Sequence, residues 1–205
     1  PGFFAWAVPS GETTRIGTWS KADLLDGRSS EDLLCKLQSS NPWSARFDKC
    51  NEIGRYCGPI PSGLVKRPLI ERVALFGDAA GLCKPTTGGG IGPGFKQVDL
   101  LVPELSLALK DGDLSLKRMQ SISRLLDKMR SDQRRKKALR DAFLTESTDH
   151  ELDEIFEVWS KPEVIALIND VGEIENPIPL GVQMLREIPE FRKLAGKAAM
   201  AVLWG

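Results

Sequence analysis

Four apolar residues, Val73-Ala74-Leu75-Phe76, run directly into Gly77-Asp78, and ten residues beyond that aspartate Gly88-Gly89-Gly90 opens a stretch with helical periodicity. A short continuous apolar run that stops at glycine has the pattern of a strand buried on both faces of a mixed or parallel sheet. Val98, Leu101, Val102, Leu105, Ala108 and Leu109 follow at steps of 3, 1, 3, 3 and 1, one face of a helix ending near Asp111-Gly112. The order strand, glycine loop, helix leaves Asp78 at the carboxyl end of a core strand, where open α/β sheets bind ligands. A carboxylate there can accept hydrogen bonds from the vicinal hydroxyls of a ribose or ribityl chain. Glycines before a helix let the backbone approach a ligand closely, and the free amides at the helix start favour negative charge. If the ligand is a flavin, the same amides can stabilise the anion that develops near N1 and O2 on reduction. The competing reading is a tight turn with Asp78 as a helix cap. The phosphate-loop pattern GxxxxGK[ST] is absent, which argues against a nucleotide triphosphatase.

The rest of the chain divides by character. Phe3 to Val8 and Thr13 to Trp19 are rich in aromatic and β-branched residues around Pro9-Ser10-Gly11-Glu12, the signature of a hairpin. Ser29 before Glu31 and Asp32 marks a helix start, with Leu33, Leu34 and Leu37 at helical spacing and Asn41-Pro42 as the stop. Residues 43–63 read as a strand running into the bend Cys57-Gly58-Pro59-Ile60-Pro61-Ser62-Gly63. A second long helix is expected from Leu116 to about Phe143, with Met119, Ile122, Leu125, Leu126 and Met129 on its inner face. Helices follow at about 150–160, 162–171 and 189–203, broken by Pro162, Pro177 and Pro179, the last carrying Phe191, Leu194, Ala195, Ala198, Val202 and Leu203 as an apolar stripe. The expected class is α+β, with sheet in the first half and helix in the second.

Composition narrows function. Lys plus Arg balance Asp plus Glu at 28 each, so no global pull toward nucleic acid is expected. No stretch reaches the roughly 20 apolar residues of a membrane span, and no signal peptide opens the chain. A single histidine, His150, and four cysteines without a CxxC disfavour a metal centre and a Ser-His-Asp triad. A cytoplasmic location fits the cysteine usage, with a Cys50–Cys57 bridge as the alternative to free thiols, and with Cys83 read as a buried small residue or a redox group.

The segment GDAAGLCKPTTGGGIGPG at 77–94 resembles the second flavin-binding motif of the geranylgeranyl reductase family, FAD enzymes related in fold to p-hydroxybenzoate hydroxylase. The resemblance implies that Gly77 and Asp78 contact the ribityl and pyrophosphate region, and that Gly89, Gly90 and Ile91 line the flavin ring. The opening Pro1-Gly2-Phe3-Phe4-Ala5-Trp6-Ala7-Val8-Pro9, with Gly17 beyond it, resembles the same family's substrate-cavity motif, with Phe4, Val8 and Trp19 as departures from it. Phe4, Trp6 and Val8 alternate onto one sheet face, which either walls a slot for an isoprenoid chain or packs on a core. The family's GxGxxG fingerprint, which binds the FAD pyrophosphate, does not precede residue 77, so the N-terminal Rossmann segment of the fold is expected to be missing from this sequence.

The implied organisation is a substrate-domain sheet segment at 1–68, a strand-loop-helix completing the FAD domain at 69–112, and a helical region at 113–205. The implied activity is reduction of C=C bonds in geranylgeranyl chains of a polar lipid or prenyl diphosphate, by hydride from reduced FAD. The electron donor would be NAD(P)H or a ferredoxin-type protein. A flavin monooxygenase or halogenase shares the Gly-Asp element. A third reading comes from charge: ten basic residues against Asp127 and Asp132 between Lys117 and Arg140, then Asp141, Glu146, Asp149, Glu151, Asp153, Glu154 and Glu157 with no basic residue among them. That pattern suits either two solvated helix faces pairing or a basic face docking peripherally on anionic lipid.

Overall fold

The structure, a computed structural model, describes residues 4–141, 145, 147–173, 178–192 and 196. The chain forms two compact units, one of residues 1–59 with 144–147 and one of residues 60–143 with 148–205.

The first unit holds the expected hairpin. Strand β1 (Ala5–Ser10) pairs antiparallel with β2 (Thr13–Thr18), in register from Ala5 opposite Thr18 to Ser10 opposite Thr13. Gly11 takes φ 61° in the turn, a left-handed value that glycine adopts without a Cβ clash. Thr13 Oγ1 donates to Ser10 O at 2.9 Å beside it. Helix α1 (Ser30–Ser39) starts where the capping sequence places it: Ser29 accepts from the Asp32 amide and the Asp32 carboxylate accepts from the Ser29 amide. The strand expected in 43–63 is not formed. Trp43 and Phe47 sit at i and i+4 with stacked rings 6.0 Å apart, and their turn is helix α2 (Trp43–Phe47). Residues 48–61 then run exposed without ladder pairing, and Pro59 and Pro61 have no amide to offer a sheet.

The second unit begins with β3 (Leu69–Ile70) and β4 (Val73–Ala74), an antiparallel pair closed by Glu71 and Arg72. Leu75 N–H donates to Pro68 O at 2.9 Å and prolongs that ladder by one step. The expected doubly buried core strand is therefore corrected. Val73 is 44% exposed, and among the described residues β4 has β3 as its ladder partner and no parallel neighbour. The apolar run instead supplies half-buried Ala74, Leu75 and Phe76 to the rim of a helical core. Gly77–Ala80 form a 3₁₀ turn, Gly81 follows in the left-handed region, and the chain enters α3 (Ile91–Lys110).

Helix α3 stops at Asp111 and Gly112 as expected, with Gly112 at φ 69°. Its buried face is Gln97, Leu101 and Ala108, whereas Val98, Val102 and Leu109, expected inside, are exposed. Helices α4 (Leu116–Ser123) and α5 (Asp127–Arg140) are joined by a 3₁₀ turn at Arg124–Leu126, giving the long helical run expected there. Met119, Ile122, Leu126 and Met129 enter the core with Leu64, Leu69, Ala80, Leu82, Leu101 and Ala108, while Leu125, also expected inside, is 40% exposed.

A separate apolar cluster, Val164, Leu167, Met184, Ile188 and Phe191, joins α7 (Pro162–Val171) to α8 (Ile178–Glu187). Helix α6 (Asp149–Trp159) precedes them behind a Thr148–Glu151 capping box. Pro179, expected as a breaker, is the second residue of α8. First-turn amides have no intrahelical partner, so proline costs nothing there. Of the helix expected at 189–203, residues 189–192 are helical; Leu194, Ala195, Ala198, Val202 and Leu203 lie outside the described residues, as do Pro177 and Phe143.

Candidate functional site

The corner where β4 meets α3 is held by Gln97, a residue the apolar periodicity does not flag. Its side chain is fully buried; Oε1 accepts from the Gly77 amide at 2.8 Å, and Nε2 donates to Leu75 O at 2.9 Å. One amide thus satisfies both backbone groups on either side of Phe76, which fixes the Gly77-Asp78 turn against α3. The signal available in sequence was its place four residues before Leu101, on what proves to be the buried face.

Asp78 projects from this turn and is exposed. Its Oδ1 accepts a hydrogen bond from Cys83 Sγ at 3.1 Å, and a Cβ added to Gly90 would stand 2.3 Å from the same oxygen. Gly90 is needed because the Asp78 carboxylate occupies the space a side chain would take, a more specific reason than close approach to a ligand. Cys83 is 2% exposed. Burial, and then the hydrogen bond and negative charge of Asp78, push its thiol up to about 12, so at neutral pH it is a protonated donor and not a reactive thiolate. Of the two readings of Cys83, the buried small residue is the one the geometry supports. Cys35, Cys50 and Cys57 are exposed free thiols, which removes the Cys50–Cys57 bridge.

The loop between them is closed by backbone. Gly88 N–H donates to Lys84 O and Lys84 N–H donates to Gly89 O, each at 2.9 Å. The buried Lys84 stem lies against Gly89, with Cε 3.2 Å from where a Cβ would be. Helix α3 then begins with Gly90 as its N-cap and no side-chain cap; the first intrahelical bond runs from Gly94 N–H to Gly90 O at 2.9 Å. The amides of Ile91 and Gly92 precede that bond, and Pro93 has no amide to leave over. The Ile91 side chain is exposed beside them.

Helix α5 backs this corner. Arg130 donates to the carbonyls of Leu64, Val65 and Lys66, Gln133 to Leu82 O, and buried Arg140 to Pro85 O. Two of the ten basic residues in the charged run therefore hold the segments that frame the Asp78 turn, a structural use the charge pattern does not reveal.

The structure thus brings Asp78 and Gly90 into contact and sets Gly77, Gly89 and Ile91 in the same corner. Phe4, Trp6 and Val8 belong to the other unit, on one face of the β1–β2 hairpin. That face is exposed, at 40%, 36% and 51%, so it is not packed on a core. Trp6 lies opposite Gly17, where a Cβ would meet the indole at 2.2 Å, and the Phe4 ring stands edge-on to Trp19 with centroids 5.5 Å apart.

The donor set in the Asp78 corner suits a dinucleotide flavin: an exposed carboxylate that accepts from hydroxyls, set against a helix start with two amides outside the helical ladder. Among the described residues no cluster of three or more His, Cys, Asp and Glu could hold a metal, and no helix is long and apolar enough to cross a membrane.

Comparison with known proteins finds reductases of a digeranylgeranyl lipid among the chain's relatives. Digeranylgeranylglycerophospholipid reductase 1 of Methanothermobacter thermautotrophicus is 28% identical over 164 residues, which cover 80% of this chain and 41% of its own length. Digeranylgeranylglycerophospholipid reductase 2 of Methanosphaera stadtmanae is 30% identical over 164 residues with the same coverages, and reductase 3 of that organism is 28% identical over 174. The chain spans less than half the length of these curated relatives. No family model and no solved structure matches it.

Proposed function

We propose that these residues are part of an FAD-dependent oxidoreductase that reduces C=C bonds in geranylgeranyl chains carried by a lipid or a prenyl diphosphate. The observation that carries the reading is the Asp78–Gly90 contact at the mouth of α3. Similarity to proteins named as reductases of a digeranylgeranyl lipid supports the substrate class. Residues 69–112 would complete an FAD domain of the p-hydroxybenzoate hydroxylase type whose Rossmann segment lies elsewhere in the natural protein. Residues 1–68 would belong to the substrate domain and 113–205 to a helical region.

The chemistry FAD would supply when bound and reduced is hydride transfer to one alkene carbon, with a proton added to the other. In this reading Asp78 accepts hydrogen bonds from ribityl hydroxyls, with Cys83 holding Oδ1 in place. The Ile91 and Gly92 amides meet negative charge on the cofactor, where fixed dipoles stabilise it without reorganisation. Phe4, Trp6 and Val8 supply apolar area against an isoprenoid chain and exclude water from it. The electron donor would be NAD(P)H or a ferredoxin-type protein.

The natural polypeptide containing this sequence, reduced anaerobically and incubated with a digeranylgeranyl lipid, is expected to yield product with hydrogen added across its double bonds by mass spectrometry. Product that has gained oxygen would identify a monooxygenase of the same fold and end this reading.

A further inference from the structure

The run α4–α5 carries a second ordered face, unrelated to the corner it supports. Lys117, Arg124, Lys128 and Arg135 recur at steps of seven, four and seven and are all exposed. At about 100° per residue they fall on one side of the run, opposite the buried Met119, Ile122, Leu126, Met129 and Gln133. The stripe is about 27 Å long at 1.5 Å per residue. Leu125, 40% exposed, stands at its edge, and Asp127 and Asp132 flank it. The other basic residues with named roles are turned elsewhere: Arg118 to Glu104, and Arg130 and Arg140 to loop carbonyls.

We propose that this stripe is a docking surface for an anionic lipid bilayer. A bilayer offers a flat field of negative headgroups, which matches a row of cations along the outer side of the α4–α5 run. The exposed Leu125 can enter the headgroup boundary beside them. A nucleic acid fits less well. Residues 116–140 contain no aromatic side chain on which a base could stack, and the chain as a whole has no net charge to draw a polyanion from a distance. Since overall charge is zero, attraction must come from the stripe itself and fall with salt. Docking of this face on lipid requires no bound flavin.

The test is co-sedimentation of this chain with phosphatidylcholine vesicles, with and without phosphatidylglycerol, across a salt series. Binding is expected with phosphatidylglycerol alone and to weaken as salt rises. Each of Lys117→Gln, Arg124→Gln, Lys128→Gln and Arg135→Gln should lower the partition roughly fivefold, the equivalent of about 1 kcal/mol per cation at a surface. Lys110→Gln, the same charge change at the end of α3, serves as the control and should leave it unchanged. Equal sedimentation with neutral vesicles would overturn the proposal. So would no sedimentation with anionic ones, Lys110→Gln weakening binding as much as Lys128→Gln, or tighter binding to duplex DNA than to the anionic vesicles.

Discussion

Cys83 shows how one side chain acquires its properties from its neighbours. Buried and donating to Asp78, it keeps its proton well above the ordinary thiol range, to about 12. At neutral pH a thiol reagent is expected to label Cys35, Cys50 and Cys57 in the folded chain and to reach Cys83 only after denaturation; four labelled thiols under native conditions would contradict this. A group that binds its proton more tightly when folded contributes stability at and below its unfolded value and loses it as pH rises toward the folded one. Stability should therefore fall between the ordinary thiol range and about pH 12, and Cys83→Val should flatten that part of the pH profile of the denaturation midpoint. At this scale the sequence is half-readable. Asp78 and the glycines stand out as a pattern, but that Gly90 exists to make room for Asp78 depends on a contact twelve residues apart.

The glycine corner is built from two short elements tied by one long-range pair of hydrogen bonds. Gln97→Leu keeps the volume but strands the Gly77 amide and the Leu75 carbonyl, each worth about 1–3 kcal/mol when left unpaired in a buried setting. Urea denaturation should show a loss of about 2–6 kcal/mol; an unchanged midpoint would mean that Gln97 is not what holds the turn. Elements whose cause is local were legible: α1 from its Ser29–Asp32 box, the end of α3 from Gly112, the hairpin from its turn residues. Elements that depend on distant partners were not. The run 73–76 has the composition of a central strand, yet its described surroundings give it β3 on one edge. Trp43 and Phe47 make a helical turn out of a segment whose composition reads as extended. Val98 and Val102 obey the helical period and still face outward, because burial on α3 is set by the position of α4 and the Gly77 turn, not by apolar periodicity.

Across the whole chain, the similarity to digeranylgeranylglycerophospholipid reductases covers 80% or more of these residues but about two fifths of those proteins. The central claim rests on Asp78 and the start of α3 acting together on a flavin. Its most direct measurement is the affinity of the natural polypeptide containing this sequence for FAD, read from visible absorption, before and after Asp78→Ala, with circular dichroism to establish that the variant is folded. Loss of hydrogen bonds to a charged acceptor, about 1.5–3 kcal/mol, predicts binding weakened about ten- to hundredfold. A folded variant that holds FAD as tightly as the parent would contradict the assignment.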